Sequence, residues 1–101
     1  MIEVVNTKDM LTVMGHAHDT GILSKREVEA CSAVTALVHT LIASMYELAH
    51  DEPDYEFDRG HFKLKKKTLT GSEPYINMFV LGIKVLTDPY GDLIHIEDDQ
   101  A

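Results

Sequence analysis

The stretch from Ser24 to His50 constrains the fold of this chain more than any other segment. Ser24 is followed three residues later by Glu27, the capping-box spacing in which each side chain satisfies the other residue's backbone amide. From Val28 onward, Cys31, Val34, Val38, Leu41, Ile42, Met45 and Leu48 recur at the interval of one helical face. The spacing predicts a long amphipathic helix ending near His50, ahead of Pro53. A helix with one apolar stripe has to bury it against another layer, and the rest of the chain must supply that layer.

The flanking segments read as strands. Ile2 to Val5 is rich in β-branched residues, and Leu11 and Val13 alternate with Met10, Thr12 and Met14 beyond the polar turn Asn6-Thr7-Lys8-Asp9. Together they predict a hairpin. Tyr55 and Phe57 alternate with acidic residues, Phe62 and Leu64 with lysines, and Arg59-Gly60 lies between, predicting a second hairpin. Lys65-Lys66-Lys67 reads as the solvated end of its last strand, where lysines discourage edge pairing, in preference to a phosphate site. Pro74 to Leu86 contains Phe79-Val80-Leu81-Gly82-Ile83, which could be a buried strand. Ser72-Glu73-Pro74 as a start and Asp88-Pro89 as a stop favour a helix. Its apolar residues surround most of the axis, implying burial on two sides, the second by another subunit. Leu93, Ile94 and Ile96 predict a last strand before the acidic tail. The expected fold is a single α+β domain over residues 1–101. It has two layers, a mostly antiparallel sheet with two helices packed on one face, in the order β-β-α-β-β-α-β.

Charge narrows the function classes. The 101 residues carry a formal charge of −8, which disfavours nucleic acid and anionic membranes as partners and suits a basic protein or peptide. With one cysteine in the chain no internal disulfide can form. The N-terminal residues lack the basic and apolar regions of a signal peptide, and no uninterrupted apolar run has the length of a membrane span. A cytoplasmic location is the expectation.

Two residues stand out chemically. A lone cysteine on an apolar helix face is ordinarily a small core residue. Here, however, Gly15-His16-Ala17-His18 directly follows the second strand, so His16 sits at or just past a strand end. Cys31 lies early in the helix expected to pack on that sheet. This order can bring an imidazole to a thiol, the pairing a cysteine nucleophile needs.

Gly15-His16-Ala17, a loop, and then Cys31-Ser32-Ala33-Val34-Thr35-Ala36-Leu37 resemble the ribosomal-processing cysteine protease family, often called Prp. Phe79-Val80-Leu81-Gly82-Ile83-Lys84 and Leu93-Ile94-His95-Ile96 resemble that family's second helix and last strand, so the resemblance covers nearly the whole chain. It implies a homodimeric cysteine endopeptidase that trims an N-terminal extension from a ribosomal protein or acts on phage structural proteins, with no cofactor. It implies His16 as general base and Cys31 as nucleophile. Thr35 stands where the family often has serine, and a structural role is the favoured reading for it. The sequence departs from the family at Val28, which occupies the position of a common aspartate, and in a longer connection from histidine to cysteine. Glu27 or Glu29 is a candidate replacement for that carboxylate. Two further readings stay open: a metal site of His16, His18 and Cys31, and a non-catalytic interaction module that keeps the fold.

Overall fold

The computed structural model describes residues 1–15 and 24–100. The elements follow the expected order: β1 (Ile2–Asn6), β2 (Met10–Met14), α1 (Lys25–Glu47), β3 (Asp54–Asp58), β4 (His61–Lys65), α2 (Glu73–Tyr90) and β5 (Ile94–Asp98). The strands form one sheet in the order β3-β4-β2-β1-β5. Three pairings are antiparallel, while β1 and β5 run parallel. The architecture is therefore α+β with an open mixed sheet, mostly antiparallel.

Register explains which face is covered. Val4 stands opposite Val13 and Ile96, Val13 opposite Phe62, and Leu11 opposite Leu64. Since side chains alternate between faces, these residues share one side and join the buried core with Val34, Val38, Leu41 and Met45 of α1 and Ile76, Phe79, Val80 and Ile83 of α2. The opposite face carries Glu3, Thr12, Lys63, Glu56 and their neighbours. A one-residue slip in any pairing would exchange these two sets. By length and composition alone α1 could also cross a membrane, yet its apolar stripe is the one that roofs this sheet.

The helix ends show what local signals could and could not specify. Ser24 caps α1 through the anticipated reciprocal bonds, Glu27 N to Ser24 Oγ at 3.2 Å and Ser24 N to Glu27 Oε1 at 3.3 Å. The helix stops at Glu47, three residues before the expected His50. The chain turns through His50 at φ 55°, and the Asp51 amide donates to the Met45 carbonyl at 2.9 Å. In α2, Ser72 is the N-cap and Pro74 lies in the first turn, as the sequence implies. Pro89 does not stop it: α2 runs on to Tyr90. Proline removes one backbone donor, but so close to the end this costs little, and Arg26 Nη2 binds the otherwise orphaned Pro89 carbonyl at 2.7 Å.

The lysine run also differs from expectation. Its strand, β4, lies between β3 and β2, so lysines there guard no edge. Lys66 is half-buried, and its ammonium donates to Asn6 Oδ1 and, at 2.6 Å, to the Thr7 carbonyl. It is a bridge between loops. Only Lys65 and Lys67 are solvated.

Candidate active site

α1 and α2 lie antiparallel, because the first turn of α1 meets the end of α2 while the end of α1 meets the start of α2. At the first junction Arg26 grips Asp92 with two bonds of 2.8 and 2.9 Å, and Tyr90 donates to Glu29 Oε2 at 3.0 Å. The Arg26 guanidinium holds the Asp92 carboxyl down at about 2. These contacts are solvent-exposed, so their value is orientation of the helix start more than stability.

Next to this junction, an apolar cavity of about 220 Å³ opens between the start of α1 and the sheet. Cys31 lines it from the second turn of α1, together with Val34, Thr35 and Val38 one and two turns further on. Ile2, Val13 and Phe62 form its floor, and Phe57, Arg59 and Gly60 of the second hairpin form its outer wall. Cys31 is half-buried, as the helical spacing and the Ser24 cap require. It therefore lies beyond the first turn, where the helix dipole acts most strongly. Thr35 is exposed on the same wall.

Gly15 closes the cavity from the end of β2. Its φ is +92°, a region that residues with a Cβ rarely adopt. A Cβ added there would also lie 2.4 Å from the Met1 carbonyl oxygen. Its amide donates to the Gly60 carbonyl at 2.8 Å, tying the strand end to the second hairpin. Glycine at this position is thus demanded twice, by conformation and by space. The residue that follows it in sequence is His16.

His16 itself lies outside the described residues, as do His18 and the rest of the connection through Leu23. The metal reading rests on His16 and His18 and lies outside them too; among the described residues, no three His, Cys, Asp or Glu side chains cluster to hold a metal. The candidate carboxylates on α1 have other partners. Glu27 completes the helix cap and Glu29 accepts from Tyr90, while Val28 is exposed. His61 also borders the cavity, but its register opposite Met14 places it on the open face of the sheet, away from Val13 and Phe62.

Among the described residues, the densest polar cluster lies at the far end of α1. Asp51 is 6% exposed and accepts from Thr70 N at 3.0 Å, Thr70 Oγ1 at 2.7 Å, Gly71 N at 3.0 Å and Ser72 Oγ at 2.6 Å. The Ser72 and Thr70 hydroxyls and the Gly71 amide hold its carboxyl far below the usual carboxylate range. Every acceptor position is occupied, which makes Asp51 a latch between α1 and α2. The sequence carries no local sign of it, since the partners lie 19 to 21 residues away. Likewise, nothing in the spacing picked out Phe57, Arg59 or Val38 as cavity wall.

No protein-family model matches the sequence, and no curated protein is similar to it in sequence. Solved structures are similar in fold. The essential ribosomal processing protease Prp from Staphylococcus aureus, in complex with a covalently linked product peptide, superposes with a TM-score of 0.76 at 14% identity over 97% of both chains. The same protease with a substrate peptide gives 0.75 at 12% identity. A Streptococcus mutans protein gives 0.76 at 20% identity, over 96% of this chain and 90% of that one. Across nearly its whole length, this chain has the fold of the ribosomal processing protease Prp.

Proposed function

We propose that this chain is a cysteine endopeptidase in which Cys31 is the nucleophile and His16 the general base. The observation that carries this reading is the cavity shared by Cys31 and Gly15, the residue immediately before His16 in sequence. A fold whose S. aureus representative holds substrate and product peptides supports a peptide substrate here.

The chemistry runs through this chain's own groups. His16 takes the proton from Cys31 Sγ, and the thiolate attacks a peptide carbonyl. The tetrahedral adduct collapses to a thioester as His16 protonates the departing amine. Water then adds to the thioester with His16 as base, releasing the acid and restoring the thiol. Apolar walls keep bulk water from competing with the nucleophile during the first half. The substrate in this reading is an N-terminal extension of a ribosomal or phage structural protein, and a basic one complements the charge of −8. The exposed Met78, Leu81 and Val85, at 58%, 61% and 64%, form a stripe on the outer side of α2 that supports a homodimer.

One observation favours a second reading, a non-catalytic module on the same fold. Val28 stands where the family commonly has aspartate, and both Glu27 and Glu29 have other partners. Two variants decide. Cys31→Ser is expected to abolish cleavage of a cognate extension while the thermal midpoint stays close to that of the parent. His16→Ala is expected to abolish cleavage and to slow Cys31 alkylation at neutral pH. Cleavage retained in Cys31→Ser would remove Cys31 as nucleophile, whereas no cleavage by the parent together with alkylation indifferent to His16 would leave the non-catalytic reading standing.

A further inference from the structure

The sheet edge beside the cavity carries a row of carboxylates of which, among the described residues, only Asp58 has a hydrogen bond in the fold, from the Arg59 amide at 2.7 Å. β3 is the outermost strand on that side, so one row of its backbone N–H and C=O groups faces solvent. Its side chains alternate. Tyr55 and Phe57 stand opposite Leu64 and Phe62 on the helix-bearing face, while Asp54, Glu56 and Asp58 lie on the open face. Among the described residues, no Lys, Arg or His nitrogen comes within salt-bridge distance of Asp54 or Glu56. Their registered neighbours Lys65 and Lys63 lie on the inner side only. The opposite edge is different: on β5, Asp98 is already bound by Lys84 at 2.8 Å and by Asn6 at 2.9 Å.

We propose that β3 receives an extended basic segment of the substrate as an added strand, and that this strand leads the substrate across the cavity to Cys31. The inference rests on the peptidase reading above and specifies its substrate class. A strand added at the usual spacing of about 4.8 Å would point alternate side chains to opposite faces. Lysine or arginine at every second position would meet Asp54, Glu56 and Asp58, and each such cross-strand pair is favourable. The residues between would fall beside Phe57, which is 39% exposed, walls the cavity and is braced by the His39 and Phe62 rings at 5.1 and 5.8 Å. Backbone pairing supplies affinity and the alternation supplies selectivity, the logic of strand addition. A second copy of this chain is the wrong occupant, because two β3 strands side by side would oppose carboxylate to carboxylate.

The test uses Cys31→Ser, so that binding is read without turnover. Three short probes are titrated: a peptide alternating lysine with valine and phenylalanine, its glutamate counterpart, and the lysine peptide with prolines at the positions that pair. The lysine peptide is expected to bind about tenfold more tightly than either other, to weaken with added salt, and to slow amide exchange across residues 54–58. Glu56→Lys with Asp58→Lys, both at exposed positions, is expected to reverse the charge preference. Equal affinity for the lysine and glutamate peptides, or protection appearing only elsewhere, overturns the proposal. The two readings fail separately. Binding at β3 with Cys31 alkylation indifferent to His16 would sink the peptidase, whereas cleavage of a cognate extension without protection of residues 54–58 would sink the edge site.

Discussion

The two ends of α1 solve opposite problems with the same helix. At its C-terminal end, Asp51 is buried and its carboxylate is surrounded by donors from Thr70, Gly71 and Ser72. Nothing there is left to react. At its N-terminal end, Cys31 borders an apolar cavity whose wall turns at a glycine of φ +92°. The lesson concerns how perturbed groups are read. A strongly shifted acid is often a sign of a functional site, but among the described residues the carboxylate held furthest below its usual range is a latch. The end that can carry chemistry is marked by an opening in the core.

The largest effect on stability is expected from breaking the latch. Asp51→Ala strands two hydroxyls and two amides among buried neighbours, and unpaired buried donors are among the costlier defects a fold can suffer. The thermal midpoint should fall further than for any other variant discussed here, while Cys31 alkylation at a temperature where the protein is folded stays unchanged. The pH dependence follows with a definite sign. The folded carboxyl is held well below its unfolded value of about 3.9, so the unfolded state binds the proton more readily. The stabilisation is complete above that unfolded value and is lost as pH falls below about 4 toward the folded one. Urea unfolding across acid pH should show a shallower loss in Asp51→Asn than in the parent, because Asp92 and Asp98, also held low, still titrate. Identical slopes would mean that Asp51 does not hold its charge in the fold.

At the other end, the expected weak point is Gly15. Gly15→Ala forces a Cβ into a left-handed conformation, at a cost of roughly 1–2 kcal/mol, and presses it against the Met1 carbonyl, a backbone group that must shift to admit it. The variants at the two ends of α1 should differ in kind. Asp51→Ala lowers the melting temperature without altering the cavity. Gly15→Ala should lower it less, yet reduce cleavage or Cys31 reactivity in protein that remains folded. If Gly15→Ala behaves as the parent in both measurements, the strand end is not what shapes the cavity.

These differences also explain how much the sequence revealed. Features set by neighbouring residues were legible: the Ser24–Glu27 cap, the stripe from Val34 to Met45, both hairpins, and the start of α2 at Ser72. The fold class followed, since two hairpins and two amphipathic helices leave few ways to build two layers. Features set by distant partners were not. Pro89 lies inside the last turn of α2, and its carbonyl is bound by Arg26, 63 residues earlier. Lys66 is a bridge because Asn6 and Thr7 lie beside it in space. The parallel pairing of β1 with β5 joins the two ends of the chain, and no spacing rule reaches that far. Of the candidate pair, the helical spacing placed Cys31 on the apolar face of α1, and there it is half-buried against the core. The wall it shares with Phe57 and Arg59 became visible only once the second hairpin was folded against α1.

Gly82 allows the smallest and most discriminating test, because it subjects the same glycine-to-alanine change to a different neighbour. It lies inside α2, where alanine is favoured over glycine by about 1 kcal/mol. A Cβ there would stand 3.1 and 3.2 Å from the two Leu37 methyl carbons, close enough to require a shift of a few tenths of an ångström. At Gly15 the obstacle is backbone and yields only if the strand end shifts; at Gly82 it is the end of a half-buried leucine, which yields more easily. The helical gain and the packing cost should therefore nearly cancel, leaving the thermal midpoint close to that of the parent. Cys31 alkylation and the acid slope due to Asp51 should be unchanged. A loss as large as that of Gly15→Ala would show that the Leu37–Gly82 crossing is as rigid as a strand end. The two ends of α1 would then be coupled through its middle, and the separation of latch from cavity would have to be given up.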